Sequence, residues 1–319
     1  FLTDRMCFGW GVSVVIENLI KHLKNQGIKV RVGCLQHDEY GCYHDLVWAG
    51  DLDTHPGWSI ASKTTRMRVK EAARRYLESL STCTINWFGN APPSNEICAY
   101  LALILVLELD TEFLNELPSS SWAALAYTIC GFPMPLGIGG KAEDRHRTLV
   151  AIAYKHRPGE VIAALLKLIE IENATTNHTE LFSLRLVSQC WNTVLSDALL
   201  AKAKDGSLRE ACLQSLLEEL IANGCEGAAN FAQLLVKSRK RKKQRKLAKA
   251  AAVALWRQAK GSGWDTLWPI FQVDDNFFGE VLQEIVNGYW HQKSQGFDLC
   301  DRDLADLYAC LTEKFPFAD

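Results

Sequence analysis

From about Arg66 to the last residue, the chain reads as one amphipathic helix after another. Apolar residues recur there at three- and four-residue intervals, the spacing that puts them on one face of a helix. The strictest case is Leu208–Ile221, with Leu213, Leu216, Leu217, Leu220 and Ile221 at i, i+3, i+4, i+7 and i+8. No recognisable catalytic or metal-ligand signature interrupts that stretch. Helices repeated without a chemical motif point to a binding surface rather than a reaction pocket.

Helices are expected over Arg66–Leu80, Ser94–Leu109, Asp110–Leu117, Ser121–Cys130, Lys141–His156, Pro158–Glu172, Leu181–Lys204, Leu208–Ile221, Cys225–Val236, Arg239–Lys260, Asp274–Trp290 and Asp301–Phe315. Ser94 follows two prolines and is the expected N-cap of its helix. That helix is apolar on nearly every side, which predicts burial between neighbours. Gly261-Ser262-Gly263 is expected to break the chain. Leu304, Leu307, Tyr308, Leu311 and Phe315 are expected to line the last helix. Helix pairs of this length predict a mainly α fold, an irregular α-solenoid of HEAT-like helical repeats, although no clean sequence period is found.

The first fifty residues differ. Gly9-Trp10-Gly11 precedes an amphipathic helix with Val15, Ile16, Leu19, Ile20 and Leu23, and Lys29–Leu35 alternates as a strand does. This predicts a short β-α-β segment. Gly9 and Gly11 are the candidates for an anion or cofactor cradle, because a glycine turn lets backbone N–H groups approach a phosphate. GWG is not the dinucleotide pattern, and no cofactor is expected. The expected organisation is a truncated α/β segment over 1–50, a linker over 51–65 and a helical-repeat domain over 66–319.

Charge and composition narrow the functional classes. With 35 basic and 37 acidic residues among 319, no global field favours nucleic acid. The longest apolar run, Ile97–Leu107, is half the ~20 residues of a membrane span, so no membrane partner is expected. Eleven scattered cysteines with no CxxC pair predict buried thiols and a cytoplasmic protein. His37, His44 and His55 near Cys34 and Cys42 match no zinc spacing, and no metal is expected. Gly131–Gly140 ends in Gly-Lys but lacks the glycine and the Ser or Thr of a phosphate loop. The sequons at Asn173 and Asn177 are read as chance.

Two features carry binding candidates. Lys237–Lys249 holds nine basic residues, and Arg239, Lys240, Arg241, Lys242, Lys243, Arg245 and Lys246 are the candidate polyanion contacts. Without an interleaved aromatic for base stacking, a solvated helix start is the favoured reading and nucleic acid the lesser one. The aromatic set Trp256, Trp264, Trp268, Phe271, Phe277 and Phe278 is expected to be core. Trp264, Trp268 and Phe271 are the candidates for a partner contact.

Two resemblances add to this. FGWGVSVVIENLIKHLKNQGIKVRVGC resembles the opening of family 4 glycosyltransferases of the two-Rossmann-domain type, over about residues 1–48. INWFGNAPPSNEICAYLALILVLE, AYKHRPGEVIAALLKLIEIEN, SQCWNTVLSDALLAKAKDGSLREACLQSLLEEL, GWDTLWPIFQVDDNFFGEVLQEI and DLADLYACLTEKFPFAD resemble the C-terminal helical region of bacterial NACHT-family signalling NTPases, over about residues 62–319. The second resemblance implies a non-enzymatic sensor or protein-interaction surface, with an NTPase domain upstream in relatives, some of which act in anti-phage defence. The alternatives are a glycosyltransferase-like enzyme and a polyanion-binding accessory protein. The partner's identity is not implied.

Overall fold

Short-range chemistry sets the ends of the helices, and one enclosed helix organises each half of the fold. The computed structural model describes residues 58, 60–80, 86–90, 92–133, 140–175, 180–241, 244–258, 260–289 and 299–314. The expected β-α-β segment, with Gly9 and Gly11, lies outside the described residues, as do the five His and Cys residues near it. The described residues form α-helices and one 3-10 helix, with no strand among them. They cluster into two compact units. One runs to Ile171 and takes in Phe182–Cys190; the other is Glu172–Leu181 and Trp191 onward.

In the first unit, α1 (Lys63–Ser79) starts three residues before Arg66, because the Ser62 side chain accepts from the Thr65 N–H at 3.1 Å. Helix α2 (Ser94–Leu109) has Pro93, not Ser94, at its N-cap position, with no side-chain cap bond. Four helices follow: α3 (Thr111–Glu116), α4 (Ser119–Gly131), α5 (Lys141–His156) and α6 (Pro158–Ala174). The all-round apolar surface of α2 is explained by its neighbours, since α1, α3, α4 and α5 all pack on it. Its Cys98, Leu103 and Val106 are buried.

The single helix expected over Leu181–Lys204 is two elements. Phe182–Val187 is 3-10, and α7 (Thr193–Lys204) starts afresh at Asn192. Asn192 has extended backbone, and its side chain accepts from the Leu195 N–H at 3.0 Å. A strong N-cap inside an apolar run thus creates a new helix start that periodicity alone does not reveal.

The second unit continues with α8 (Glu210–Ala222), α9 (Glu226–Lys237), α10 (Arg245–Gln258), α11 (Lys260–Phe271), α12 (Asp275–Tyr289) and α13 (Asp301–Lys314). Helix α8 ends as expected at Gly224, whose φ of 77° suits glycine. The N–H of Gly224 reaches the Ile221 carbonyl and that of Cys225 reaches Leu220, the paired bonds of a Schellman stop. Asn173 of the first sequon is engaged on both sides. Its Oδ1 accepts from the Arg209 N–H at 2.7 Å, and its Nδ2 donates to the Ser207 carbonyl at 3.0 Å.

Helix α10 is the centre of this unit, in contact with α8, α9, α11 and α12. Ala248, Ala250, Ala251, Ala252, Val253, Ala254 and Leu255 have no exposed surface. Small side chains let helix axes approach closely, so one helix can hold four neighbours. It starts at Arg245, not Arg239, because tight turns link Arg241 to Ser238 and Gln244 to Arg241. Gly261-Ser262-Gly263 does not break the chain: α11 runs through it. Burial of Trp264, Leu267 and Phe271 outweighs the poor helix propensity of glycine. The face of α13 also differs from expectation. Leu307 and Cys310 are buried, whereas Leu304 and Tyr308 are 42% and 69% exposed. Lys314 fixes that rotation by donating to the Phe271 and Gln272 carbonyls at the end of α11 and pairing with Asp275.

Candidate functional site: a charged groove along α10

The basic run does not project wholly into solvent. Arg239 is buried, and its Nε donates to Asp274 at 3.1 Å with the Phe277 ring 5.9 Å from its guanidinium. Arg245 donates to both oxygens of Glu280 at 3.0 and 3.1 Å. Lys249 sits between Glu210 of α8 at 2.8 Å and Glu284 of α12 at 2.9 Å. Burial pulls the Lys249 ammonium towards lower pKa, but hydrogen bonds and charges from those two carboxylates outweigh it and hold it above its ordinary value. Asp274 also caps α12, accepting from the Phe277 N–H at 3.1 Å.

Arg239–Asp274, Arg245–Glu280 and Lys249–Glu284 are each separated by 35 residues. Arg257 donates to Glu218 across 39 residues, and Lys249 meets Glu210 at that same separation. A constant separation means that both helices advance together. Helices α8, α10 and α12 therefore run parallel and in register.

Between them lies an open groove of about 610 Å³, lined by Glu210, Arg245, Lys246, Lys249, Glu280, Gln283 and Glu284. Three cations face three carboxylates there. These groups supply charge and hydrogen bonds, and none of them is a Ser, Thr, Cys or His nucleophile. Lys246 and Gln283 are exposed. Among the described residues no group of three or more His, Cys, Asp or Glu is placed to hold a metal ion.

The sequence candidates divide accordingly. Arg239 and Arg245 are committed to internal pairs. Lys240, Arg241 and Lys246 are exposed and have no carboxylate partner among the described residues. Lys242 and Lys243 lie outside the described residues. Of the candidate partner anchors, Trp264 and Phe271 are buried. Trp268 is half-buried, stacked on Trp264 with centroids 5.0 Å apart.

Sequence reading missed the acids. Asp274, Glu280 and Glu284 repeat the 239, 245, 249 spacing of the cations they meet. A search for opposite charges at one fixed separation would have found them. It also missed a buried polar pair in the first unit. Tyr100 Oη lies 2.8 Å from His146 Nδ1, both fully buried, while His146 Nε2 has no hydrogen-bond partner among the described residues. Burial lowers the His146 pKa to about 4, against the Glu143 charge that raises it.

Membership of a known group does not enter this picture: no family model, curated protein or solved structure matches the chain. Among the described residues no helix is long and apolar enough to cross a membrane.

Proposed function

We propose that this chain is a helical-repeat interaction module, in which α7–α8, α9–α10 and α11–α12 are three successive helix pairs of a short solenoid. The observation that supports it is the constant separation of the ion pairs. Parallel, in-register helices one repeat apart are how solenoids present an extended binding surface. On this reading the charged groove along α10 is the contact surface, and the partner is a protein. The resemblance to NACHT-family sensor regions agrees with it, and makes the module a sensor for a cytoplasmic signalling NTPase.

A photo-reactive amino acid at Lys246 or Gln283 tests the reading in cells of the source organism. A protein captured there is then purified and titrated against the chain. A saturable complex weakened by Lys246→Glu is the expected result. Evenly spread adducts, or turnover of an NTP or a nucleotide sugar by the purified chain, would count against it and favour the enzyme alternative.

A further inference from the structure

We infer that the acidic edge of α12 is an intramolecular cover over a phosphate-binding strip at the start of α10. The strip is Arg239, Lys240, Arg241, Arg245, Lys246 and Lys249, on and just before one helix. Its α12-facing members meet the carboxylates of Asp274, Glu280 and Glu284 in order, and Lys249 also holds Glu210 of α8. At ~1.5 Å rise per residue the α12 carboxylates stand about 9 and 6 Å apart, in order from the N-cap. They form a row of oxyanions that occupies the cations as a phosphate chain does.

The remaining members, Lys240, Arg241 and Lys246, are exposed without carboxylate partners among the described residues, and Lys246 lines the groove. The local arrangement is electrostatically uphill. The first turn of α10 carries Arg245 and Lys246 and no acid, so cations crowd the positive end of the helix dipole. Asp274 and Glu280 relieve part of that. An extended chain of phosphates has the chemistry to relieve the rest, but it must first displace carboxylates already in place. The inherent affinity of the strip is therefore suppressed in the resting chain, and whatever draws the α12 acids away uncovers it.

The test uses the full chain and its Asp274→Asn/Glu280→Gln/Glu284→Gln variant. A labelled single-stranded oligonucleotide and labelled inorganic polyphosphate are titrated separately by anisotropy over a salt series. Wild type is expected to bind weakly at about 0.15 M salt. The variant is expected to bind about ten-fold more tightly or better, with a log–log salt slope steeper by about 1.4, since Arg239 and Arg245 are freed while Glu210 still holds Lys249, and each freed cation contributes about 0.7 on a single strand. Gains on both probes identify a bare phosphate chain as the ligand, and a gain on the oligonucleotide alone identifies nucleic acid. Adding Lys240→Ala, Arg241→Ala and Lys246→Ala must abolish the gain. If the triple neutralisation does not fold, Glu280→Gln alone reads the same effect at the exposed rim, with a gain of about three-fold and a slope change of about 0.7. Unchanged affinity in a folded variant, or wild-type binding already tight at physiological salt, would overturn the proposal.

Discussion

Arg257→Met is the sharpest test of how the second unit is held together. Arg257 Nη1 donates to Glu218 Oε1 at 3.0 Å, with side chains only 17% and 13% exposed. Gln214 Nε2 donates to the same oxygen at 3.0 Å. Burial raises the Glu218 pKa above its ordinary value, and Arg257 and Gln214 act to lower it. Removing the cation leaves a buried carboxylate with one neutral donor. Breaking such a pair costs about 3 kcal/mol, because the desolvation penalty stays while the attraction goes. At about 2–4 °C per kcal/mol, the midpoint falls by about 6–12 °C. The loss depends on pH. A carboxyl whose folded pKa lies above its unfolded value destabilises the fold when ionised in both states. That penalty fades as pH falls through the folded pKa, because the folded state then takes up the proton first. The deficit of Arg257→Met is therefore largest near pH 8 and shrinks towards pH 5. Glu218→Leu/Arg257→Met, which removes both charges, is expected to recover most of the loss. Thermal melts followed by circular dichroism at both pH values measure all three proteins. A single variant as stable as wild type at pH 8, or a double variant no better than the single, would refute the reasoning.

Other outcomes follow from the same structure. His146 has a folded pKa of about 4 against 6.5 unfolded, so stability falls as pH drops from 6.5 to 4, by at most about 3 kcal/mol. His146→Leu is expected to flatten that acid limb in urea unfolding, and an unchanged limb would rule the histidine out as its source. Gly131→Ala is expected to destabilise by about 1–3 kcal/mol, since its methyl group meets Phe88 and comes within 2.7 Å of the Trp87 ring. Gly159→Ala, exposed near the start of α6 with nothing within 4 Å of the added carbon, is expected to stabilise by about 0.5 kcal/mol. Equal shifts in the two melts would contradict the packing at Gly131.

Much of the helical part was legible because burial follows periodicity. Leu213, Leu216, Leu217 and Leu220 are buried as their spacing requires, and Lys141–His156 is a helix with the expected limits. Pro158 opens α6 from the first turn, where proline lacks no needed bond. The misses share one cause, tertiary contact overriding a local signal. Gly261-Ser262-Gly263 reads as a break, yet three buried aromatic and aliphatic anchors downstream hold α11 helical. Leu304 and Tyr308 share one apolar line with Leu307 in the sequence, yet they face outward, with Lys314 reaching the end of α11. The candidate groove was half legible. Its cations were conspicuous as a run in the sequence, while its carboxylates lie 35 residues away among unremarkable helical residues.

That distribution of charge has a structural reason. The buried face of α10 is mostly alanine, and an alanine surface is nearly smooth. Sliding a neighbour by one helical turn exchanges one methyl group for another and changes the buried area little. Leucine or isoleucine ridges fix the axial position of a packed helix; alanines allow close approach but specify register weakly. Ion pairs fill that gap. A shift of α12 by one turn, about 5.4 Å, breaks Arg239–Asp274, Arg245–Glu280 and Lys249–Glu284 together. A shift of α8 breaks Lys249–Glu210 and Arg257–Glu218 together. Each exposed pair contributes little to net stability, but every wrong register leaves several partly buried charges unpaired at once. The charges around α10 thus choose among packings that the alanines leave nearly equal. They hold the parallel alignment of α8, α10 and α12 that shapes the groove.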